Sequence, residues 1–253
     1  MEKIKIKSFN GYLSVAVHRP EKETDKLAVL CPGFLDSKDY RHLVVLAEML
    51  SERGYTAVRL DPTGTWESSG EIADYNTTQY LEDIKTVIDY MNTDSKYTHI
   101  LLGGHSRGGR MSVLYAARDP RISLVLGIMP SSSPIEVEKR EEWKRTGIKI
   151  SKRDLPGDPE NYREFHLPFS HALDLDRYDT LGEAKKITAP VILIAGELDE
   201  TVLPQDVQIL SENICGKKKF VNISNIGHDY RHNEEEIKVV NGIISEQINA
   251  IEI

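Results

Sequence analysis

The feature that most constrains the fold is a glycine-flanked serine placed between an apolar segment and a helical one. Residues 100–105 read ILLGGH, Ser106 follows, and residues 107–117 read RGGRMSVLYAA. This order predicts a buried strand, a sharp turn and a helix. The turn strains the serine backbone and brings strand and helix so close that small residues are needed beside it. We therefore predict that Ser106 is a nucleophile displayed at a tip, the alternative being a structural Gly/Ser turn.

Strands and helices are predicted to alternate on both sides of Ser106. Apolar runs at 27–31, 56–60, 122–128, 190–195 and 219–223 predict further strands, and the continuous run at 27–31 predicts a strand buried on both faces. Apolar residues at helical spacing predict helices at 40–53, 78–91, 205–213 and about 233–250. Residues 4–17 alternate apolar and polar side chains around Asn10-Gly11, which predicts an antiparallel hairpin at the sheet edge. The alternation favours a doubly wound α/β domain with a mostly parallel, twisted sheet of about eight strands.

The alternation breaks between residues 131 and 186, which are rich in charged and aromatic side chains and contain four prolines. We find no strong strand pattern there. We interpret residues 131–186 as a lid or cap insertion after the sixth strand, arching over the carboxyl edge of the sheet, where ligands bind in open α/β folds. Residues 1–130 and 187–253 then form the core domain. The alternative is a flexible surface excursion, because charge exceeds apolar content in the segment.

Charge and cysteine usage argue against several classes of partner, of covalent cross-link and of metal site. The chain has 253 residues, a formal net charge of −8 and no long Lys/Arg cluster, so nucleic acid and anionic membranes are not expected partners. Cys31 and Cys215 lie far apart and form no C-x-x-C pair, so neither a disulfide framework nor a zinc site is indicated. Residues 1–7 alternate charged and apolar side chains, so we expect neither a signal peptide nor a membrane span there. A cytoplasmic location is the simplest expectation.

A serine hydroxyl needs a base to remove its proton, and the base needs a third group to hold its tautomer. Asp199 follows the strand that ends at Ala195, and His228 follows the strand that ends near Ile223. Both would lie at the carboxyl edge that carries Ser106. The order Ser106, Asp199, His228 is the one expected for this architecture. Glu197 and Asp206 are competing candidates for the acid.

A metal-ligand role for His228 is the main alternative to its role as base. His228 and His232 are spaced i and i+4, as a zinc-binding pair on a helix would be. The intervening Asp229-Tyr230-Arg231 lacks the glutamate of H-E-x-x-H. The sequence therefore predicts no metal and no organic cofactor.

These motifs resemble those of the α/β-hydrolase superfamily over nearly the whole chain. The resemblance rests on Pro32-Gly33-Phe34 after an early strand, the turn at residues 104–108, Gly196-x-x-Asp199 and Gly227-His228. Within the superfamily, the sequence is most similar to small intracellular serine esterases and acyl-peptidase-like hydrolases, including cinnamoyl and feruloyl esterase-like proteins. The resemblance implies a serine hydrolase, in particular a carboxylesterase, that cleaves a small ester through an acyl-enzyme intermediate.

The resemblance also implies a role for each site residue. Ser106 would attack the carbonyl, His228 would take and return the proton, and Asp199 would orient and stabilise the imidazolium. The backbone N–H groups of Phe34 and Arg107 would form the oxyanion hole. A thioesterase or a short-peptide or amide hydrolase is the nearest alternative. A non-catalytic ligand-binding homologue is the alternative of a different class. The oligomeric state is left open between monomer and homodimer.

Substrate contacts are the least constrained part of the site. The Arg107 guanidinium is expected either to bind a substrate carboxylate or, as the plainer alternative, to pair with a nearby Asp or Glu. Aromatic and imidazole side chains of the insertion, of the loop after residue 61 and of the Pro32-Gly33-Phe34 turn are candidates for lining a substrate pocket, although most aromatic residues in such segments only pack the lid onto the body. The candidates are Phe34, Trp66, Trp143, Phe165, His166 and Phe169.

Overall fold

In the computed structural model, which describes residues 1–93 and 96–252, strands and helices alternate along most of the chain. The strands are β1 (Glu2–Ser8), β2 (Gly11–His18), β3 (Lys26–Cys31), β4 (Thr56–Leu60), β5 (His99–His105), β6 (Ile122–Ile128), β7 (Ile148–Leu155), β8 (Asp158–Pro168), β9 (Val191–Gly196) and β10 (Lys218–Ile223). The helices are α1 (Arg41–Glu52), α2 (Thr77–Met91), α3 (Arg107–Ala116), α4 (Val137–Thr146), α5 (Ser170–Leu175), α6 (Thr180–Ala184), α7 (Pro204–Glu212) and α8 (Glu234–Glu252). Two short 3₁₀ helices lie at Ile72–Asp74 and Tyr230–His232.

Eight of the strands form one sheet in the order β1-β2-β4-β3-β5-β6-β9-β10. β1 pairs antiparallel with β2, and β2 pairs antiparallel with β4, whereas the other neighbours in this sheet are parallel. The predicted doubly wound α/β fold, with an antiparallel hairpin at one edge, is thereby confirmed. Because β3, β5, β9 and β10 run the same way, the residues that follow them meet at a single edge.

Helices cover both faces of this sheet, as the helical periodicity predicts. On one face the buried residues come from α1 and α8, including Leu43, Leu46 and Val240. On the other they come mainly from α2, α3 and α7, including Ile84 and Val113. The central strands are buried on both faces because a helix lies over each, which explains their continuous apolar runs. None of the described helices is long and apolar enough to span a membrane.

A buried lysine fixes the loop that follows β4. The Lys38 side chain is fully buried, and its Nζ donates to Asp61 at 2.8 Å, Glu67 at 2.6 Å and Asp39 at 3.2 Å. Burial raises the pKa of Asp61, although the charge and hydrogen bonds of Lys38 act in the opposite direction. The pairing ties residues 61–67, which include Trp66, to the turn after β3.

Residues 131–186, which we call the insert, contain α4, β7, β8, α5 and α6. β7 and β8 form a separate antiparallel hairpin with Ile148 opposite Pro168. The expectation that this segment has no strong strand was therefore wrong. Most side chains of the hairpin are exposed, so neither strand shows the clear apolar alternation of a half-buried strand. The Pro156-Gly157 pair is typical of a turn and could have indicated the hairpin; Gly157 has a φ of 78° there.

Candidate active site

Ser106 lies on the sharp turn between β5 and α3. Its φ is 51° and its ψ −116°, a combination that is sterically unfavourable for a residue with a side chain. The turn brings α3 against the end of β3: a Cβ on Gly108 would lie 2.0 Å from the Cys31 carbonyl oxygen, and one on Gly104 would lie 2.3 Å from the same atom. Glycine at both positions therefore allows the close approach on which the turn depends.

One hydrogen-bonded chain joins the serine to an imidazole and a carboxylate. The Ser106 hydroxyl lies 3.0 Å from Nε2 of His228, and Nδ1 of His228 lies 2.7 Å from Oδ2 of Asp199. Asp199 is 2% exposed, and its Oδ1 accepts the backbone N–H groups of Thr201 and Val202, each at 2.8 Å. These contacts hold Nδ1 of His228 as a donor and leave Nε2 as the acceptor for the serine proton.

The turn after β3 provides one of the two predicted backbone donors. The Tyr75 hydroxyl accepts the N–H of Leu35 at 3.0 Å, and the Tyr80 hydroxyl donates to the carbonyl of Pro32 at 2.9 Å. The N–H of Phe34, between these two fixed points, and the N–H of Arg107, in the first turn of α3, donate to no group within the described part of the chain. Both amides are therefore available to a ligand.

A cavity of about 400 Å³ opens beside Ser106 and His228. Core and insert both contribute to its wall. Among the predicted pocket residues, Phe34 and Trp143 line this cavity together with Arg107. The other lining residues are Asp36, His105, Arg110, Ser131, Ser133, Pro134, Ile135, Lys149, Arg153, His171, Leu175, Thr201, Val202 and Asp229.

The remaining predicted pocket residues lie elsewhere, and one pair of them joins the insert to the core. Trp66 donates its indole N–H to the Leu35 carbonyl at 2.9 Å and packs edge-on against Phe165 at 5.7 Å. His166 is exposed on β8 and bonds Glu164 at 2.6 Å, and Phe169 packs against Trp143 at 6.3 Å. Trp66, Phe165, His166 and Phe169 thus lie outside the wall of the Ser106 cavity.

The Arg107 side chain is 5% exposed and pairs with no carboxylate of the described residues, contrary to the plainer expectation of an ion pair. One terminal nitrogen lies 2.6 Å from Nε2 of His171, and the guanidinium lies 4.8 Å from the Tyr75 ring centroid. His171 donates from Nδ1 to the Tyr75 carbonyl at 2.6 Å, so its Nε2 must accept from Arg107. Burial and the Arg107 charge hold the pKa of His171 well below its usual value.

One group of described residues has the donor set of a metal site: one ligand atom each from Asp36, His42 and His105 lies within 4.8 Å of the others. His105 also packs against His228, with ring centroids 4.7 Å apart and the rings tilted by 42°. Burial lowers the pKa of His105, and the pKa of Asp36 is lowered to about 2, because His105, Arg153 and Arg231 outweigh the effect of burial. The zinc alternative, His228 with His232, forms no such group among the described residues.

Sequence reasoning identified Arg107 but missed most of the other polar residues of the cavity wall. Arg110 follows Arg107 by three residues, so both side chains project from the same side of α3, a spacing that could have identified it. Lys149 lies on the hairpin that the sequence did not indicate, and His171 on a short helix of the insert. Both reach the cavity through the folding of the insert.

Residues 22–178 match the sequence profile of the serine aminopeptidase family, S33. The chain belongs to this family. The matched region covers more than half of the chain and includes Ser106 and the Phe34 turn. It ends before Asp199 and His228, so the assignment of acid and base depends on the geometry described above.

Known proteins similar to this chain include both thioesterases and esterases. The palmitoyl-protein thioesterase ABHD10, mitochondrial, of Rattus norvegicus is 24% identical over 183 residues, which are 69% of this chain and 59% of that protein. The chain therefore aligns with less than two thirds of that relative's length. The structure of Est1E from Butyrivibrio proteoclasticus with bound ferulic acid superposes with a TM-score of 0.79 and 24% identity, covering 98% of each chain. The mouse ABHD10 structure superposes with a TM-score of 0.78 and 19% identity, covering 99% of each chain. These likenesses establish the α/β-hydrolase fold.

Proposed function

We propose that this protein is a serine hydrolase that cleaves a small carboxylic ester through an acyl-enzyme intermediate. The observation that carries the proposal is the hydrogen-bonded chain from Ser106 through His228 to Asp199 beside an open cavity. A protein that only binds a ligand has no need for a nucleophile, a base and an orienting acid in this order.

In the first half of the reaction, Ser106 Oγ attacks the ester carbonyl carbon while Nε2 of His228 takes the hydroxyl proton. The tetrahedral oxyanion accepts hydrogen bonds from the N–H groups of Phe34 and Arg107. When the carbon–oxygen bond of the ester breaks, the imidazolium returns the proton to the departing alkoxide, and the alcohol leaves. Asp199 stabilises the imidazolium without taking its proton.

In the second half, a water molecule attacks the acyl-enzyme carbonyl and His228 accepts its proton. Collapse of the second tetrahedral intermediate breaks the bond to Ser106 Oγ, which recovers a proton from His228, and the carboxylic acid leaves. Every proton transfer uses Nε2, the nitrogen that faces Ser106.

We assign the insert the role of a cap on this core. Trp143 and Lys149 of the insert line the cavity, and Arg153 donates to the Phe34 carbonyl at 2.9 Å. The insert thereby encloses the substrate and supports the turn that carries one oxyanion donor. A cytoplasmic location and a monomeric or homodimeric state stay predictions.

Thioester hydrolysis is the second candidate, and the sequence similarity to the rat palmitoyl-protein thioesterase favours it. The same three side chains serve both reactions, since only the departing atom differs. Matched hexanoyl oxygen esters and thioesters separate the two candidates through their kcat/KM values. A ratio that favours the thioester by an order of magnitude after correction for uncatalysed hydrolysis would select the second candidate.

Labelling with a fluorophosphonate tests the proposal directly. The wild-type protein should gain one probe mass on Ser106, and Ser106→Ala should gain none. Ser131→Ala is the matched control, because Ser131 lines the same cavity but has no imidazole partner in the described structure; its labelling should persist. A folded wild-type protein that resists the probe and shows no burst of nitrophenolate with 4-nitrophenyl hexanoate would refute the proposal.

A further inference from the structure

The cavity beside Ser106 is cationic in a protein whose formal net charge is −8. Four cationic side chains line it, Arg107, Arg110, Lys149 and Arg153, against the two carboxylates of Asp36 and Asp229. Both acids pair with cations other than Arg107 and Arg110: Asp36 lies 3.8 Å from Arg153, and Asp229 lies 3.4 Å from Arg231. The charges of Arg107 and Arg110 are therefore not compensated by the acids of the cavity wall.

Arg107 is desolvated and held in place without a counterion. It is 5% exposed, its Nε has no hydrogen-bond partner within the described residues, and its partner His171 is a neutral acceptor. A buried guanidinium left without a carboxylate is costly unless a ligand supplies one. Its contacts with His171 and Tyr75 fix its position before a ligand arrives.

Arg110 repeats this situation one turn further along α3. It is 6% exposed, its Nε donates to the Thr180 hydroxyl at 2.8 Å, and one terminal nitrogen donates to the Ser133 carbonyl at 3.2 Å. Burial and the neighbouring Arg107 charge lower its pKa to about 10, and no acid of the described residues opposes these effects. Two buried cations that repel each other mark a place where an anion is favoured.

We infer that this wall binds a carboxylate of the substrate, so that the protein prefers esters or thioesters that carry an anionic group away from the reacting carbonyl. The inference rests on the proposed function, since it names the substrate class of the same site. A planar carboxylate fits the donor fork of a guanidinium, and hydrogen bonds of this charged type are among the strongest available to a ligand.

Distances along α3 limit where the carboxylate lies. Arg110 is four residues beyond Ser106, so the two Cα atoms are separated by about 6 Å along the helix axis. Apolar side chains, namely Phe34, Trp143 and Leu175, line the cavity together with the arginines. The substrate therefore joins its carboxylate to the ester through a short apolar chain or a single ring.

Two matched pairs of substrates distinguish a carboxylate on the acyl part from one on the alcohol part. The acyl pair is 4-nitrophenyl hemiadipate and its methyl ester, and the alcohol pair is 4-carboxyphenyl hexanoate and 4-carbamoylphenyl hexanoate. In one pair, kcat/KM of the wild-type protein for the charged member should exceed that for the neutral member by about 10- to 100-fold. This comparison needs no variant.

Arg107→Gln and Arg110→Gln should each reduce this charged-to-neutral ratio by about 10-fold or more. Arg145→Gln, which changes an exposed arginine outside the cavity, is the control and should keep the wild-type ratio. Circular dichroism and cooperative thermal unfolding identify the variants that fold.

The possible failures are distinguishable. If the wild-type protein hydrolyses neutral esters but gains nothing from a carboxylate in either pair, the inference is overturned and the proposed function stands. If a preference exists but survives in both folded arginine variants, the assignment to Arg107 and Arg110 is overturned. If neither turnover nor fluorophosphonate labelling occurs, the proposed function fails, and the inference fails with it.

Discussion

The two carboxylate oxygens of Asp199 have separate partners: Oδ2 lies 2.7 Å from Nδ1 of His228, and Oδ1 accepts the backbone N–H groups of Thr201 and Val202. One oxygen therefore fixes the carboxylate to its own turn, while the other is left for the imidazole. A substitution that keeps Oδ1 and alters Oδ2 therefore distinguishes an effect on folding from an effect on the proposed reaction.

Asp199→Asn makes that change. The amide oxygen still accepts from Thr201 and Val202, but the amide N–H₂ now faces Nδ1 of His228 and must donate to it. His228 then carries its proton on Nε2 and can no longer accept one from Ser106. We expect kcat to fall by roughly 10⁴-fold, as it does when asparagine replaces the triad aspartate of chymotrypsin-like proteases, with little change in the free energy of unfolding.

The control for Asp199→Asn is Glu197→Gln, because Glu197 is the nearer in sequence of the two competing acids, Glu197 and Asp206. Glu197 accepts the N–H of Asn225 at 3.1 Å and makes no hydrogen bond to His228 in the described structure. Its substitution should leave kcat/KM for 4-nitrophenyl hexanoate close to the wild-type value. An Asp199→Asn enzyme with wild-type activity would move the acid to another residue.

The fold and the chemistry-bearing turns could be predicted from sequence because local patterns determine them. Buried parallel strands are continuous apolar runs, and the turn at Ser106 needs glycine at fixed positions. Asp199 follows such a strand, β9, and His228 follows the edge strand β10 that runs parallel to it, so the parallel topology places both at the Ser106 edge.

The wall of the cavity could not be predicted in the same way. Several of its members, including Trp143 and Lys149, come from the insert, whose position depends on contacts between residues far apart in sequence, such as the 2.9 Å hydrogen bond from Arg153 to the Phe34 carbonyl. The sequence does not distinguish an aromatic or apolar side chain that faces a ligand from one that faces the core. Trp66 is an expected pocket residue by its type alone, yet its indole bonds the Leu35 carbonyl.

Gly108→Ala should destabilise the protein and lower its activity. A Cβ at this position would lie 2.0 Å from the Cys31 carbonyl oxygen and 2.6 Å from the Pro32 carbonyl oxygen. Backbone of α3 or of the turn before Phe34 would have to move, which displaces the N–H groups that we propose as oxyanion donors. We expect a loss of about 1–3 kcal/mol in the free energy of unfolding, measured with urea.

Gly242→Ala is the matched control for this glycine. Gly242 lies inside α8, and a Cβ there would meet no atom within 4 Å. Alanine is the better helix former, so the variant should gain about 0.5–1 kcal/mol. Equal changes in the free energy of unfolding for the two substitutions would show that the close approach of backbone atoms does not explain the effect of Gly108→Ala.

Lys38→Met should destabilise the fold strongly. The substitution removes the only cation within 4 Å of the fully buried Asp61 carboxylate among the described residues and leaves that charge unpaired. Loss of one partner of a buried pair costs about 3–5 kcal/mol. Lys3→Met is the control, because Lys3 bonds Asp39 and Glu67 of the same network from an exposed position, and its loss should cost less than about 1 kcal/mol. Similar losses in both variants, measured by urea unfolding, would contradict this account.

His18 should make the protein less stable as the pH falls from neutral. Burial and the adjacent Arg59 lower the pKa of His18 from 6.5 to about 4, and its Nε2 accepts from Arg59 at 3.1 Å. Between these two values the unfolded chain binds a proton that the folded chain does not, so the free energy of unfolding decreases as the pH drops through that window.

His18→Gln keeps an acceptor for Arg59 and removes the titration. From pH 7 to pH 4.5 it should lose less stability than the wild-type protein, by on the order of 1 kcal/mol after solvent screening. His232→Gln changes an exposed histidine and should follow the wild-type curve; an unchanged pH dependence in His18→Gln would assign the effect to other buried histidines.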